Sequence, residues 1–103
     1  MKENKSMPTG CIASNKVMVD GKPVGYMYRE EPVTHWPDSG WRFFAGDEDG
    51  EYIKNPDNFK IYDIETLKKH DPQIAPYLNA NYPAAFDRDG DKFKESFIDE
   101  EGK

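Results

Sequence analysis

The sequence predicts an α+β fold: a single small domain in which a twisted, mainly antiparallel sheet carries one or two short helices packed on one side. Three observations lead there. Alternating apolar runs separated by turn residues fill most of the first sixty positions. Helix-start signals come only later, at Asp63 and at Asp71-Pro72. The 103 residues are enough for one domain, which at this size buries about two-thirds of the surface its unfolded chain exposes.

Residues 1–9 are polar and contain a proline, which predicts a flexible lead-in. The domain proper is expected over 10–93, with a charged tail over 94–103 in which Phe97-Ile98 could dock. Residues 10–14 (GCIAS) suit a short buried strand. Residues 16–30 then read as a hairpin, with Val17 and Val19 alternating with Met18 and Asp20, and Asp20-Gly21 supplying the tight turn. On its return strand Val24, Tyr26 and Tyr28 share one face, and Gly25, Met27 and Arg29 the other. Pro32 ends that run.

Residues 32–39 form a loop with two prolines. Gly40 to Ala45 reads as a strand with Trp41 and Phe43 on one face and Arg42 and Phe44 on the other. Rings on both faces predict a central strand covered on both sides. Gly46–Gly50 is an acidic turn, and residues 51–58 hold a short element stopped at Asn55-Pro56. Phe59–Tyr62 alternates again as a strand.

Asp63 is the expected N-cap of a helix over Ile64–His70, with Glu65 early and Lys68, Lys69 and His70 late, as the helix dipole prefers. Asp71 and Pro72 suit the N-cap and first position of a second short helical segment, with Ile74, Tyr77 and Leu78 on its apolar face. Ala84–Phe86 reads as a last strand, turned at Asp89-Gly90 so that Phe93 returns.

Composition excludes several functions. Twenty acidic against fourteen basic residues give a net charge of -6. A nucleic-acid binder needs clustered Lys and Arg to neutralise phosphates, so neither nucleic acid nor an anionic membrane is an expected partner. An acidic surface favours basic partners. The single cysteine, Cys11, permits no intrachain disulfide and fits a reducing, cytoplasmic setting. Met1–Thr9 has two lysines but no apolar segment and does not read as a signal peptide. No apolar run approaches the ~20 residues of a membrane-spanning helix.

Motifs for metal and catalysis are weak. Asp47–Glu51 and Asp87–Asp91 are acidic turns with glycine fourth, where the EF-hand loop needs it sixth. They read as solvated turns. His35, His70 and Cys11 are too few and too scattered for zinc. Cys11 in a small apolar strand reads as a buried, inert thiol. No cofactor or metal is expected.

Two groups of residues stand out as candidate sites. Trp36, in a loop between His35 and Pro37, is either a binding anchor or a lid folded on the core. With Asp38, Asp47, Glu48 and Asp49 it makes the expected partner-binding patch. Arg29 and Arg42, with Tyr28, make an alternative pocket. The arginines there are either paired with Glu30, Glu31 or Asp38, or free to clamp an anion.

Three segments carry a family resemblance: Val24–Pro32, Asp38–Glu48, and Asn55-Pro56-Asp57-Asn58-Phe59 with Ile61-Tyr62-Asp63. Asp71-Pro72 and Pro76-Tyr77-Leu78 fit as well. Over about residues 10–93 the chain resembles a family of small bacterial proteins grouped with the predicted immunity proteins of polymorphic toxin systems (immunity family thirty-three). The tryptophan-to-acid segment is the most specific part. The resemblance implies an α+β fold, a bacterial cytoplasmic location and a toxin as protein partner, and it brings no catalytic residues. The resulting expectation is a non-enzymatic binding protein that neutralises a cognate toxin, for instance a basic one, through an acidic and aromatic surface. Two alternatives stay open: a small-molecule-binding or enzymatic domain, and a self-associating homodimer of regulatory role.

Overall fold

The structure, a computed structural model, describes residues 9–96. The expected lead-in up to Pro8, and the tail from Phe97, lie outside the described residues. In chain order the elements are β1 (Gly10–Ser14), α1 (Asn15–Met18), β2 (Tyr26–Arg29), β3 (Asp38–Phe44), α2 (Gly50–Lys54), a 3₁₀ helix (Pro56–Asn58), β4 (Phe59–Asp63), α3 (Ile64–His70), a second 3₁₀ helix (Pro72–Tyr77), β5 (Ala84–Asp89) and β6 (Lys92–Glu95). The strands form one six-stranded sheet in the order β4-β1-β3-β2-β5-β6. β1 and β3 run parallel; every other neighbouring pair is antiparallel. The α+β architecture with a mainly antiparallel sheet is the one the sequence predicts. Lys94 and Glu95, assigned above to the tail, continue the sheet as part of β6.

Period-two alternation sorts the side chains onto two faces. On one, Cys11, Ala13, Met27, Trp41, Phe43 and Phe86 meet Val17 of α1, Leu67 of α3 and Ile74 of the second 3₁₀ helix, all less than a tenth exposed. Trp41 stacks between Phe43 and Phe86, at 6.0 and 6.3 Å between ring centroids. This aromatic layer is the core.

The caps explain where the helices start. Asp63 accepts the Glu65 N–H at 2.8 Å, and Asp71 accepts the Gln73 N–H at 3.3 Å, as the sequence predicts. The second segment winds as a 3₁₀ helix, with Pro76 inside it. Asp71 does more than cap. Buried, it also accepts the Val24 N–H at 3.0 Å and pairs with Arg88 at 2.7 Å, tying β2's lead-in and β5 to the helical layer.

One expected hairpin is absent. Residues 15–18 form a helical turn, capped by Ser14, whose hydroxyl accepts the Lys16 N–H at 3.0 Å. The alternation of Val17 and Val19 is accidental: Val17 is buried in the core and Val19 is 68% exposed. Gly21 does hold the positive φ expected of a turn residue.

β3 is the strand that shapes the site. It begins two residues earlier than expected, at Asp38, and it is irregular. Two steps along β1, from Gly10 to Ile12, match four along β3, from Asp38 to Arg42. The extra residues bulge at Gly40, whose φ of 91° suits glycine and few other residues. A Cβ there would stand 2.2 Å from the Glu30 carbonyl oxygen. β3 is central, as expected, but the layer of α1, α3 and the second 3₁₀ helix covers only one of its faces, and α2 borders the other.

Candidate functional site: the open face of the sheet

The face away from α1 and α3 carries Ile12 of β1, Tyr26 and Tyr28 of β2, Arg42 and Phe44 of β3, and Ile61 of β4. Phe59, Tyr52 and Ile53 border it. Five rings form a continuous chain here. Centroid distances are 6.0 Å for Tyr26–Tyr28, 5.9 Å for Tyr26–Phe44, 5.8 Å for Tyr28–Phe44, 5.7 Å for Phe44–Phe59 and 5.9 Å for Tyr52–Phe59. All five are half-buried, and Ile53 and Ile61 are 50% and 60% exposed. The contrast with the opposite face, where Trp41 and Phe43 are sealed, separates a core from a surface.

Arg42 sits in the floor of this face, with its side chain only 7% exposed. Its Nη1 and Nη2 donate to Oδ1 and Oδ2 of Asp38 at 2.8 and 2.9 Å, Nη1 also reaches the Trp41 carbonyl at 3.2 Å, and Nε donates to Glu30 at 2.7 Å. Four of the five guanidinium N–H groups are thereby taken. Asp38 also accepts the N–H groups of Gly40 and Val33, each at 2.9 Å. Burial opposes ionisation of Asp38, but Arg42 and those two N–H groups outweigh it and bring the carboxyl down to about 2. Burial likewise works against the Arg42 charge and is overcome by the hydrogen bonds to Asp38 and Glu30, which raise its pKa. Two carboxylates against one guanidinium leave this cluster with a net negative charge.

Two hollows open on the face. One, of about 410 Å³, is bounded by Ile12, Tyr28, Glu30, Arg42, Phe59 and Ile61. The other, of about 390 Å³, has Tyr26, Tyr28, Phe44 and Ile53 as its apolar lining and Glu48 and Asp87 as its charged one. Burial raises the pKa of both tyrosines, helped by Asp87 at Tyr26 and by Glu30 at Tyr28, so both rings stay neutral phenols. Burial works against Glu48 as an anion, but hydrogen bonds from the Ser14 hydroxyl and the N–H groups of Ala45, Gly46 and Glu48 lower its pKa.

The residues of the expected partner patch come from both ends of β3. Trp36 lies in the turn before β3, Asp38 begins the strand, and Asp47, Glu48 and Asp49 follow its end. Trp36 is half-buried over Gly10, where a Cβ would come 2.7 Å from its ring. Asp38 is 1% exposed. Asp47 is exposed and pairs with Lys22 at 2.8 Å and Lys16 at 3.3 Å. Glu48 ties down the Ala45 and Gly46 amides at 2.7 and 2.9 Å. Asp49 caps α2 through the Tyr52 N–H. Of the alternative pocket, Tyr28 and Arg42 share the first hollow. Arg29 points the other way, donating to the Ser39 and Ala80 carbonyls and lying over the Trp41 and Tyr82 rings. Sequence reasoning missed Tyr26, Phe59, Ile61 and Asp87 as surface partners of Tyr28. The signal was present in the rings at Tyr26, Tyr28 and Phe44, which the alternation sets apart from Met27 and Phe43.

Among the described residues, no group of three or more His, Cys, Asp or Glu side chains could hold a metal ion. No described helix is long and apolar enough to cross a membrane.

The fold and this face define a small α+β domain with a core on one side of its sheet and an uncovered aromatic surface on the other. The chain belongs to the immunity protein family described as Immunity protein Imm33 domain, which matches residues 11–97. That membership supports an immunity-protein role in general and, with it, a toxin as partner. Neither a curated protein nor a solved structure matches the chain.

Proposed function

We propose that this protein neutralises a cognate toxin in the cytoplasm by binding it through the open face of the sheet, without chemistry of its own. The observation that carries this reading is the chain of five contacting, half-buried rings on the face away from α1 and α3, with α2 at its border. Uncovered aromatic clusters edged by polar groups are the usual anchors of protein interfaces. Glu30, Glu48 and Asp87 edge this one, with Asp47 and Asp49 on the neighbouring turn. Such an edge speeds encounter with a basic toxin. Asp38 serves the surface from behind by fixing Arg42, and Trp36 packs over Gly10 at the start of β1. An anion-binding or catalytic pocket finds less support, because Arg42 keeps only one N–H for an incoming group. Self-association through this face would set two acidic edges against each other.

The test is co-expression with the toxin domain encoded nearest to this gene. The expected result is restored growth with the natural protein and lost protection with Tyr28→Ala/Phe44→Ala, checked by circular dichroism to be folded. Full protection by that folded double variant would move the interface elsewhere. No protection and no binding by the natural protein would remove the immunity reading for that toxin.

A further inference from the structure

The two hollows on the open face differ in charge, and the difference identifies what each can hold. Arg42 and Lys60 both line the first. No basic side chain lines the second: its charged groups are the carboxylates of Glu48 and Asp87, set among Tyr26, Tyr28, Phe44 and Ile53. Of the cations nearby, Lys16 and Lys22 hold Asp47, and Arg42 is committed to Asp38 and Glu30. Lys94 stands opposite Asp87 in the β5–β6 pairing, with its ammonium 3.9 Å from the Asp89 carboxylate in an exposed pair. Glu48 is fixed by the two amides it accepts and by its half-buried position, so its charge stays in place. Asp87 is exposed and stands opposite Tyr26 in the β2–β5 pairing.

Aromatic rings beside fixed carboxylates make a site for an organic cation. The ring faces attract positive charge and accept the apolar stem, while the carboxylates accept its N–H groups. A guanidinium suits such a place better than an ammonium. It is planar, weakly hydrated, and stacks on a ring while its edge donates. A second copy of this chain is a poor occupant, since it would bring the same carboxylates to a chain already at net charge -6.

Building on the immunity reading, we propose that the hollow between Tyr26, Tyr28, Phe44, Glu48 and Asp87 receives an arginine side chain of the toxin. That side chain is the central anchor of the complex, and the rings around it exclude water from the ion pair.

The experiment has two arms. In the first, the isotope-labelled full chain is titrated with Nα-acetylarginine amide, and separately with its citrulline and lysine counterparts, while amide resonances are followed by NMR. The expected result is saturable shifts at Tyr26, Tyr28, Phe44, Glu48 and Asp87 with the arginine probe, weakened about fivefold or more by Asp87→Asn, and no such shifts with the neutral citrulline probe. Equal shifts with citrulline, or shifts elsewhere, overturn the cation site. Equal binding of the lysine probe overturns the choice of guanidinium. In the second arm, Asp87→Asn and Tyr28→Ala/Phe44→Ala are compared for toxin binding. Weakening by both is the expected result. Loss with the ring variant alone overturns the arginine anchor and leaves the immunity reading standing. Unchanged binding with both removes the open face from that reading, and the anchor with it.

Discussion

Asp38 and Arg42 lie four residues apart in one strand, and their side chains still meet in a two-pronged ion pair at 2.8 and 2.9 Å. In a regular strand that separation is about 13 Å. The bulge at Gly40 closes the distance, and the Gly40 N–H itself donates to the Asp38 carboxylate at 2.9 Å. The pair thus depends on a local defect in the ladder, and it fixes the floor beneath the aromatic face.

Breaking the pair should therefore cost more than its length in sequence suggests. Asp38 has no exposed side-chain surface and Arg42 only 7%. Removing one partner strands a buried charge, which costs about 3–5 kcal/mol. Arg42→Ala and Asp38→Ala should each lose stability on that scale in urea denaturation. The double variant should lose less than the sum, since it leaves no orphaned charge. Strict additivity would show that the two groups do not depend on each other.

The same pair sets a pH dependence. The Asp38 carboxyl lies at about 2 in the folded protein, below its ordinary 3.8. A depressed carboxyl contributes stability that is complete above the unfolded value and is lost as pH falls through the folded one. Stability should hold from neutrality to about pH 4 on this account, then drop by about 2 kcal/mol towards pH 2. Denaturation midpoints of Asp38→Asn across that window should lack this component. An equally steep loss in the variant would assign the acid sensitivity to other carboxylates.

Gly40 can be tested by adding one carbon. In Gly40→Ala the new Cβ meets the Glu30 carbonyl oxygen at 2.2 Å, and the backbone stays at a φ that alanine disfavours. The expected loss is on the order of 3 kcal/mol. Gly50→Ala is the control, because a Cβ there touches nothing within 4 Å. Its thermal midpoint should stay near that of the natural protein while that of Gly40→Ala falls by several degrees.

Local chemistry was legible in the sequence; long-range geometry was not. Asp63 and Asp71 announce their helices because an N-cap needs only a side-chain oxygen and the next few amides. The faces of β2 and β3 follow from alternation, so Tyr26 and Tyr28 separate from Met27 without any structure. The helical turn at Asn15–Met18 is too short to show a period, and two valines at i, i+2 imitate a strand. The bulge escapes because Ser39-Gly40 inside an aromatic run looks like an ordinary strand entry. The parallel pairing of β1 with β3 joins residues nearly thirty positions apart, and no local pattern encodes it. For the site, the acids drew notice by number, but Asp38 and Asp49 are occupied in holding Arg42 and the start of α2, while Glu48, which holds the Ala45 and Gly46 amides, also lines the second hollow.

The two faces should respond differently to truncation. Trp41→Ala removes a ring that is 1% exposed and should cost about 3–5 kcal/mol, enough to threaten folding. Tyr28→Ala removes a half-buried ring from the open face and should cost about 1–2 kcal/mol, through lost contacts with Tyr26 and Phe44. Urea unfolding of both variants decides it. A cost at Tyr28 equal to that at Trp41 would make the open face a second core and undercut its reading as a binding surface.

Cys11 offers a chemical readout of the same architecture. It is fully buried on the core side of β1, and its thiol is pushed up to about 12, first by burial and then by Asp63. Thiolate is the reactive form, so at neutral pH the folded protein presents almost none of it. Ellman's reagent should react with native protein at the rate of global or local opening, and at once in denaturant. Because β1 is hydrogen-bonded on both sides, to β3 and β4, opening should require disruption of the sheet. The native-state rate should then rise in step with the stability lost by Arg42→Ala and Gly40→Ala. Rapid labelling of the native protein, indifferent to those variants, would place Cys11 in a segment that opens on its own.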